Sequence, residues 1–281
     1  MVVSATLFIP LLALWLWWPC RLSRLTRIVL VLLTALVGIF PALLLRAAQT
    51  GVLAYTTIAP LQVPGGWVLA TLLMLLVLVL LRDGVWLAGK LLGKPRWSGT
   101  AHGAAPTLAA LVLTSALSGL GVYNALQPPR VKEVHVPLSQ LPQGLEGLRI
   151  AVLADIHASP VNDALYVQTI VDRTLAAKPD LIVLPGDLVD GDIASGRQNI
   201  APLAQLHARY GVWVAPGNHE YYSGYDSWMA EFQRLGLNLL ENRMQLIEVD
   251  GAKLALSGIG DPVYGRTSPY NRKPDVPEGI A

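Results

Sequence analysis

Three short stretches decide the fold of this chain: Asp155-Ile156-His157, Gly186-Asp187 and Gly217-Asn218-His219-Glu220. Each follows directly on a short apolar run, and the runs are Ile150–Ala154, Leu181–Pro185 and Val212–Pro216. Apolar runs of this length between turn formers predict fully buried strands, and helical stretches between them predict a parallel sheet. The carboxyl ends of parallel strands meet along one crevice. The polar residues of all three stretches are therefore expected in one place.

The surrounding pattern predicts an α/β sandwich of sheet and helices. An edge strand is expected at 131–136 and a hairpin of strands 243–249 and 253–257 around Asp250-Gly251, a strong hairpin signal. Helices are expected at about 162–177, 198–210 and 225–235, from apolar residues at helical spacing.

Composition divides the chain into two parts. Residues 1–130 contain nine Lys or Arg and one acid, for a net charge of +8, whereas residues 131–281 have a net charge of −6. The mean hydropathy of +0.47 is too high for an ordinary soluble protein, and the excess lies almost wholly in the first part.

Residues 1–126 are predicted to form a bundle of about four transmembrane helices, because their apolar stretches approach the ~20 residues that cross a bilayer. The predicted spans are about 2–19, 28–45, 63–81 and 104–126. For the first of these a cleaved signal peptide is the alternative, but its arginines follow the apolar run instead of preceding it. A short linker at 127–130 leads to the domain 131–281.

Basic residues predict the orientation of the bundle. The 20–27 and 82–103 connections carry seven Lys or Arg, against one in the 46–62 connection. The positive-inside rule therefore places both basic connections in the cytoplasm and the domain 131–281 outside the cell membrane.

The polar residues at the strand ends are suited to a metal site. Asp155 and His157, two residues apart, are expected on one side of an extended backbone, and this pair of ligands suits Mn, Fe or Zn. Asp187 from the neighbouring strand can bridge two metals, and Asn218 adds a neutral oxygen. Two ions about 3.5–4 Å apart can clamp a phosphoryl group during in-line displacement. Each stretch alone is more often a turn or a helix start; their joint order favours function.

The three stretches together resemble the first three motifs of the calcineurin-like metallophosphoesterases. The segments that carry the resemblance are Leu153–His157, Gly186–Gly191 and Gly217–Glu220, with Leu141-Pro142, Leu148-Arg149 and Gly258–Pro262 resembling the membrane-anchored bacterial branch. The resemblance implies Asp155 and His157 on one metal, Asp187 bridging and Asn218 on the other. It also implies that His219 contacts the phosphate or protonates the leaving group.

One departure from the family pattern alters the expected activity. The family has two further histidine motifs, whereas residues 220–281 contain no histidine. We therefore expect a C-terminally incomplete domain whose second metal site is incomplete.

The leading hypothesis is a membrane-anchored, metal-dependent hydrolase of phosphodiesters or phosphomonoesters, with lipid or envelope phosphates as candidate substrates and no indication of nucleic acid binding. One alternative is a catalytically impaired relative that binds at most one metal. The other is a membrane protein whose spans are the working part, although the predicted spans carry no ionisable residue.

Overall fold

The chain folds into two compact units, Met1–Leu126 and Gln127–Ala281. The computed structural model describes residues 2–50, 52–53, 55–263 and 274–275. The C-terminal end, on which the expectation of an incomplete domain partly rests, lies outside the described residues.

The first unit is helical. Its helices are α1 (Val2–Trp17), α2 (Arg24–Gln49), α3 (Tyr55–Leu91), α4 (Pro95–Ala101) and α5 (Ala104–Ala125). Three of them contain segments long and apolar enough to cross a membrane, namely Arg24–Leu44, Thr57–Leu91 and Ala104–Ala125. The membrane character predicted from the sequence is confirmed to that extent.

Two features of this unit differ from the expectations. Helix α1 has 16 residues, which at 1.5 Å per residue is short of the ~30 Å hydrocarbon core, so the fourth span stays a prediction. The 82–103 connection is not a loop, because α3 continues through Arg82 and Asp83 to Leu91 and α4 follows after three residues. Arg82 and Asp83 therefore lie within helix α3 and not in a loop that follows it.

The second unit is built on a four-stranded parallel sheet. Strands β1 (Ile150–Val152), β2 (Leu181–Leu184), β3 (Val212–Val214) and β4 (Asn238–Leu239) lie in that order, each paired in parallel with the next. Helices α6 (Ala164–Ala176), α7 (Ile193–Ile200), α8 (Asn218–Tyr222) and α9 (Tyr225–Arg234) connect them. The predicted α/β fold is confirmed.

The two faces of the sheet pack against different layers. Ile182 and Leu184 of β2 point into the main core, where they join Trp228 and Phe232 of α9. Leu181, on the opposite face, packs with Ile247 and Val249 of the hairpin β5 (Arg243–Val249) and β6 (Ala252–Gly258). Because side chains alternate along β2, this strand contributes residues to both hydrophobic cores.

Several sequence-based boundaries were wrong. Residues 131–136 form no strand, and β1 is not fully buried, since Ile150 and Val152 are 48% and 64% exposed. The helix expected at 198–210 is α7 followed by a 3₁₀ turn at Ala201–Gln205, because Pro202 interrupts it. The pattern did not reveal β4 or α8, which are only two and five residues long.

Candidate metal centre

The loops that follow β1, β2 and β3 are joined by main-chain hydrogen bonds. Asp155 N–H donates to Gly186 O at 3.3 Å and His157 N–H to Asp187 O at 3.0 Å. These bonds bring the first two stretches side by side beyond the ends of their strands. The convergence predicted from the parallel sheet is therefore observed.

Glu220 holds the second and third loops together. Its carboxylate is completely buried and accepts three main-chain N–H groups, from Asp187 at 3.0 Å, Leu188 at 2.8 Å and Gly217 at 2.7 Å. Burial raises the pKa of Glu220, and the backbone donors oppose that rise. The sequence signal for this role is the position of an acid within the first turn of α8, where its side chain reaches back to the helix start.

The same two loops approach so closely that glycine is required. A Cβ at Gly186, where φ is +98°, would collide with the main chain of Gly217. A Cβ at Gly217 would lie 2.6 Å from the Asp187 nitrogen. The close backbone approach expected from the sequence is observed, and it places Asp187 beside the start of α8.

Three of the predicted site residues adopt a left-handed backbone. Asp155, His157 and Asp187 have φ values of 54°, 47° and 54°. Non-glycine residues in this region are uncommon and gather at functional sites. The extended backbone expected for Asp155 and His157 was therefore wrong, although the two side chains do meet, with His157 Nε2 3.9 Å from Asp155 Oδ1.

Donor atoms of His157, Asp187 and His219 all lie within 4.8 Å of one another. Bonds from a transition metal to nitrogen or carboxylate oxygen are ~2.0–2.2 Å, so these three donors can reach one ion with small side-chain movements. His219 thus joins the cluster itself. Asp155 lies at its exposed edge, and Asn218 is half-buried at the first position of α8.

Asp190 orients both imidazoles. Its Oδ1 lies 3.1 Å from His157 Nδ1 and 2.5 Å from His219 Nδ1, and the rings meet edge to face at 4.4 Å. Because an ionised carboxylate can only accept, both Nδ1 atoms carry hydrogen. Each Nε2 is then left with its lone pair for a metal or a proton.

Sequence reasoning assigned no role to Asp190. The residue stands three positions after Asp187 in the same strand-end stretch, Gly186-Asp187-Leu188-Val189-Asp190. A second acid so close to a predicted ligand is a usable signal for an orienting carboxylate. The donor set as a whole, two imidazoles with acidic oxygens around them, fits a divalent transition ion.

Comparison with known proteins agrees with this geometry. The family model described as calcineurin-like phosphoesterase matches residues 148–271. This part of the chain is similar to the calcineurin-like phosphoesterases. The match contains all three strand-end stretches, and the family implies dependence on divalent metal ions.

The chain is also similar to proteins that are named as metallophosphoesterases. The chain is similar to a transmembrane protein with metallophosphoesterase domain from Danio rerio, with 36% identity over 158 residues, and to one from Bos taurus, with 37% identity over 163 residues. An uncharacterized metallophosphoesterase of Bacillus subtilis is 30% identical over 167 residues. The matches cover 55%, 56% and 56% of this chain and 36%, 36% and 57% of those proteins. The chain thus spans about a third of the length of the two animal relatives.

Proposed function

We propose that this protein is a membrane-anchored, metal-dependent hydrolase of phosphate esters. The observation that carries the proposal is the convergence of His157, Asp187 and His219 donor atoms within 4.8 Å at the carboxyl ends of parallel strands. The family match and the left-handed backbone at three of the predicted site residues support the same site.

Each side chain has a defined part in the proposed reaction. Asp155, His157, Asp187 and Asn218 would hold divalent ions of the Mn, Fe or Zn class. When bound, such an ion supplies Lewis-acid chemistry at a phosphoryl group. His219 would contact the phosphate or donate a proton to the leaving oxygen.

The arrangement around His219 suits proton donation. Its Nδ1–H is held by Asp190 at 2.5 Å, which fixes the orientation of the ring. Its Nε2 is thereby available to the reacting oxygen. Asp190 acts through His219 and is a positioning residue.

Hydrolysis by the full chain in detergent micelles tests the proposal. Bis(p-nitrophenyl) phosphate and p-nitrophenyl phosphate, each with Mn²⁺, separate diesterase from monoesterase activity. We expect turnover that a chelator removes and Asp187→Asn abolishes. The exposed acid Asp226 provides the matched control, and Asp226→Asn should retain wild-type turnover. Turnover that survives in Asp187→Asn would contradict the site assignment.

A second candidate is an impaired relative that binds about one metal. It is favoured by the single three-donor cluster among the residues that the structure describes. Metal content by mass spectrometry distinguishes the two. A value near one ion per chain with weak turnover supports the impaired relative, and two ions with robust turnover support the hydrolase.

We further propose that the domain lies outside the cell membrane, where lipid or envelope phosphates are accessible substrates. The support is the seven Lys or Arg of the 20–27 and 82–103 segments against one in 46–62. Alkaline phosphatase fused after Pro129 should be active. Activity of a cytoplasmic reporter alone at that point would contradict the orientation and implicate α1 as the segment that does not cross.

A further inference from the structure

The helical unit contains a cavity that the proposed hydrolase does not use. It has a volume of about 650 Å³, within the ~300–1,000 Å³ range of small-molecule sites. Helices α1, α3, α4 and α5 all contribute to its wall, through residues that include Leu16, Val79, Trp97 and Ala110. Leu16 and Val79 are nearly completely buried, so the wall is packed and apolar.

Two arginines also line this cavity, Arg82 and Arg96. The Arg82 side chain is 9% exposed and donates to Trp15 O at 3.0 Å and Leu16 O at 2.9 Å, which are carbonyls in the last turn of α1. Its Nε donates to Asp83 Oδ1 at 2.9 Å. Arg82 is therefore held rigidly at the wall.

The charges near the cavity are unbalanced. Asp83 is the only acid in residues 1–130, and it already bonds Arg82, Trp15 at 2.6 Å and His102 at 3.1 Å. Arg96 is exposed and has no ion pair among the residues that the structure describes. The cavity thus combines an apolar chamber with an uncompensated positive charge.

We propose that this cavity binds one anionic phospholipid, with an acyl chain between α1, α3 and α5 and the phosphate on Arg96. A basic pocket between membrane helices is the kind of site that holds an anionic headgroup. Guanidinium binds phosphate through two parallel hydrogen bonds. Trp97, 52% exposed at the same wall, suits the headgroup region, where tryptophan is enriched.

The occupant follows from the combination of the two features. A soluble anion would leave the apolar wall in contact with water, and a neutral lipid would leave Arg96 without a counter-ion. An amphiphile with one phosphate satisfies both. Bound lipid would stabilise the four helices that it touches, in proportion to its affinity and concentration.

Native mass spectrometry of the full chain tests the proposal. The protein is reconstituted in phosphatidylcholine nanodiscs with and without phosphatidylglycerol, then released and weighed. We expect one retained phosphatidylglycerol per chain. Arg96→Gln should weaken retention about tenfold, the loss of roughly one charge-assisted interaction. Ala110→Phe, which fills the chamber without changing charge, should also lose the lipid.

Arg46→Gln is the matched control, because Arg46 is exposed near the end of α2 and does not line the cavity. It should retain the lipid as wild type does. Equal retention of both lipids, unchanged retention in Arg96→Gln, or a second copy of the chain in place of lipid would each overturn the proposal.

A labelling experiment on the unaltered chain covers the case in which the variants do not fold. A phosphatidylglycerol with a photoreactive acyl chain is crosslinked in the nanodisc, and the adducts are mapped by peptide sequencing. Adducts in 78–85 and 96–110 that compete with unlabelled phosphatidylglycerol support the site. Adducts spread over other lipid-facing helix surfaces, or competition by phosphatidylcholine alone, refute it.

Discussion

Replacing Glu220 by glutamine should loosen the junction between the β2 and β3 loops. Oε2 accepts from Asp187 and Gly217, and Oε1 accepts from Leu188. The glutamine amide has one oxygen and one NH₂ group, so one orientation loses the Leu188 bond and the other loses two bonds. In either orientation at least one buried main-chain N–H faces the amide NH₂ group and loses its acceptor.

The cost can be worked from these bonds. One orphaned buried donor costs about 1–3 kcal/mol, and each of the two remaining bonds changes from a charged acceptor to a neutral one, at about 1 kcal/mol apiece. The local destabilisation is therefore about 3–5 kcal/mol. Since 1.4 kcal/mol is about a factor of ten in an equilibrium constant, amide exchange in these loops should accelerate by roughly a hundredfold or more.

Hydrogen–deuterium exchange of the full chain in micelles, with a chelator present, measures this directly in peptides that cover 184–190 and 212–219. Glu231→Gln is the control, because Glu231 is also buried but pairs with Arg234 and Arg197. It should accelerate exchange in α9 and not in the loops. Unchanged loop exchange in Glu220→Gln, or equal acceleration by the control, would refute the reasoning.

Three further changes test other parts of the domain. Asp190→Asn should lower kcat for phosphodiester hydrolysis about a hundredfold, the lower range for acid–base catalysis, with KM little changed. Gly186→Ala should lower Tm by several degrees more than Gly236→Ala, since both have positive φ but a Cβ at Gly236 meets nothing within 4 Å. The hydrogen bond from Arg234 holds the pKa of Glu231 below its ordinary value of 4.5. The stability that this pair contributes is therefore complete above pH 4.5 and falls as the pH drops below it. Glu231→Gln should make Tm less dependent on pH in this acidic range.

Strand ends were predictable from the sequence because short apolar runs and turn formers are local signals. The β5–β6 hairpin around Asp250-Gly251 was equally predictable and is confirmed, with Arg243 paired to Gly258 at its open end. The strand predicted at 131–136 failed because alternation alone does not supply a pairing partner. Strand β4 has only two residues, which is too short for an alternating pattern to be recognised.

The site itself was predictable in composition and less so in geometry. Asp155, His157 and Asp187 were predicted as ligands from their strand ends, but their left-handed conformation depends on hydrogen bonds between loops. The role of Asp190 depends on two imidazoles meeting the same oxygen. Neither fact can be inferred before the three loops are assembled in space.

The hydrogen bonds of the buried Glu220 carboxylate compensate for the backbone strain at the site. Three left-handed residues cost roughly 1–3 kcal/mol each, about the same as three hydrogen bonds to a charged acceptor contribute at ~1.5–3 kcal/mol each. Glu220 fixes the β2 loop, and that loop in turn holds the β1 loop through Gly186 O and Asp187 O. The hydrogen bonds of Glu220, which is not itself one of the metal donors, thereby offset the free-energy cost of the left-handed backbone that brings His157 and Asp187 together. Weakening the Glu220 hydrogen bonds should separate the donor atoms of His157, Asp187 and His219 under conditions in which the parallel sheet is still folded.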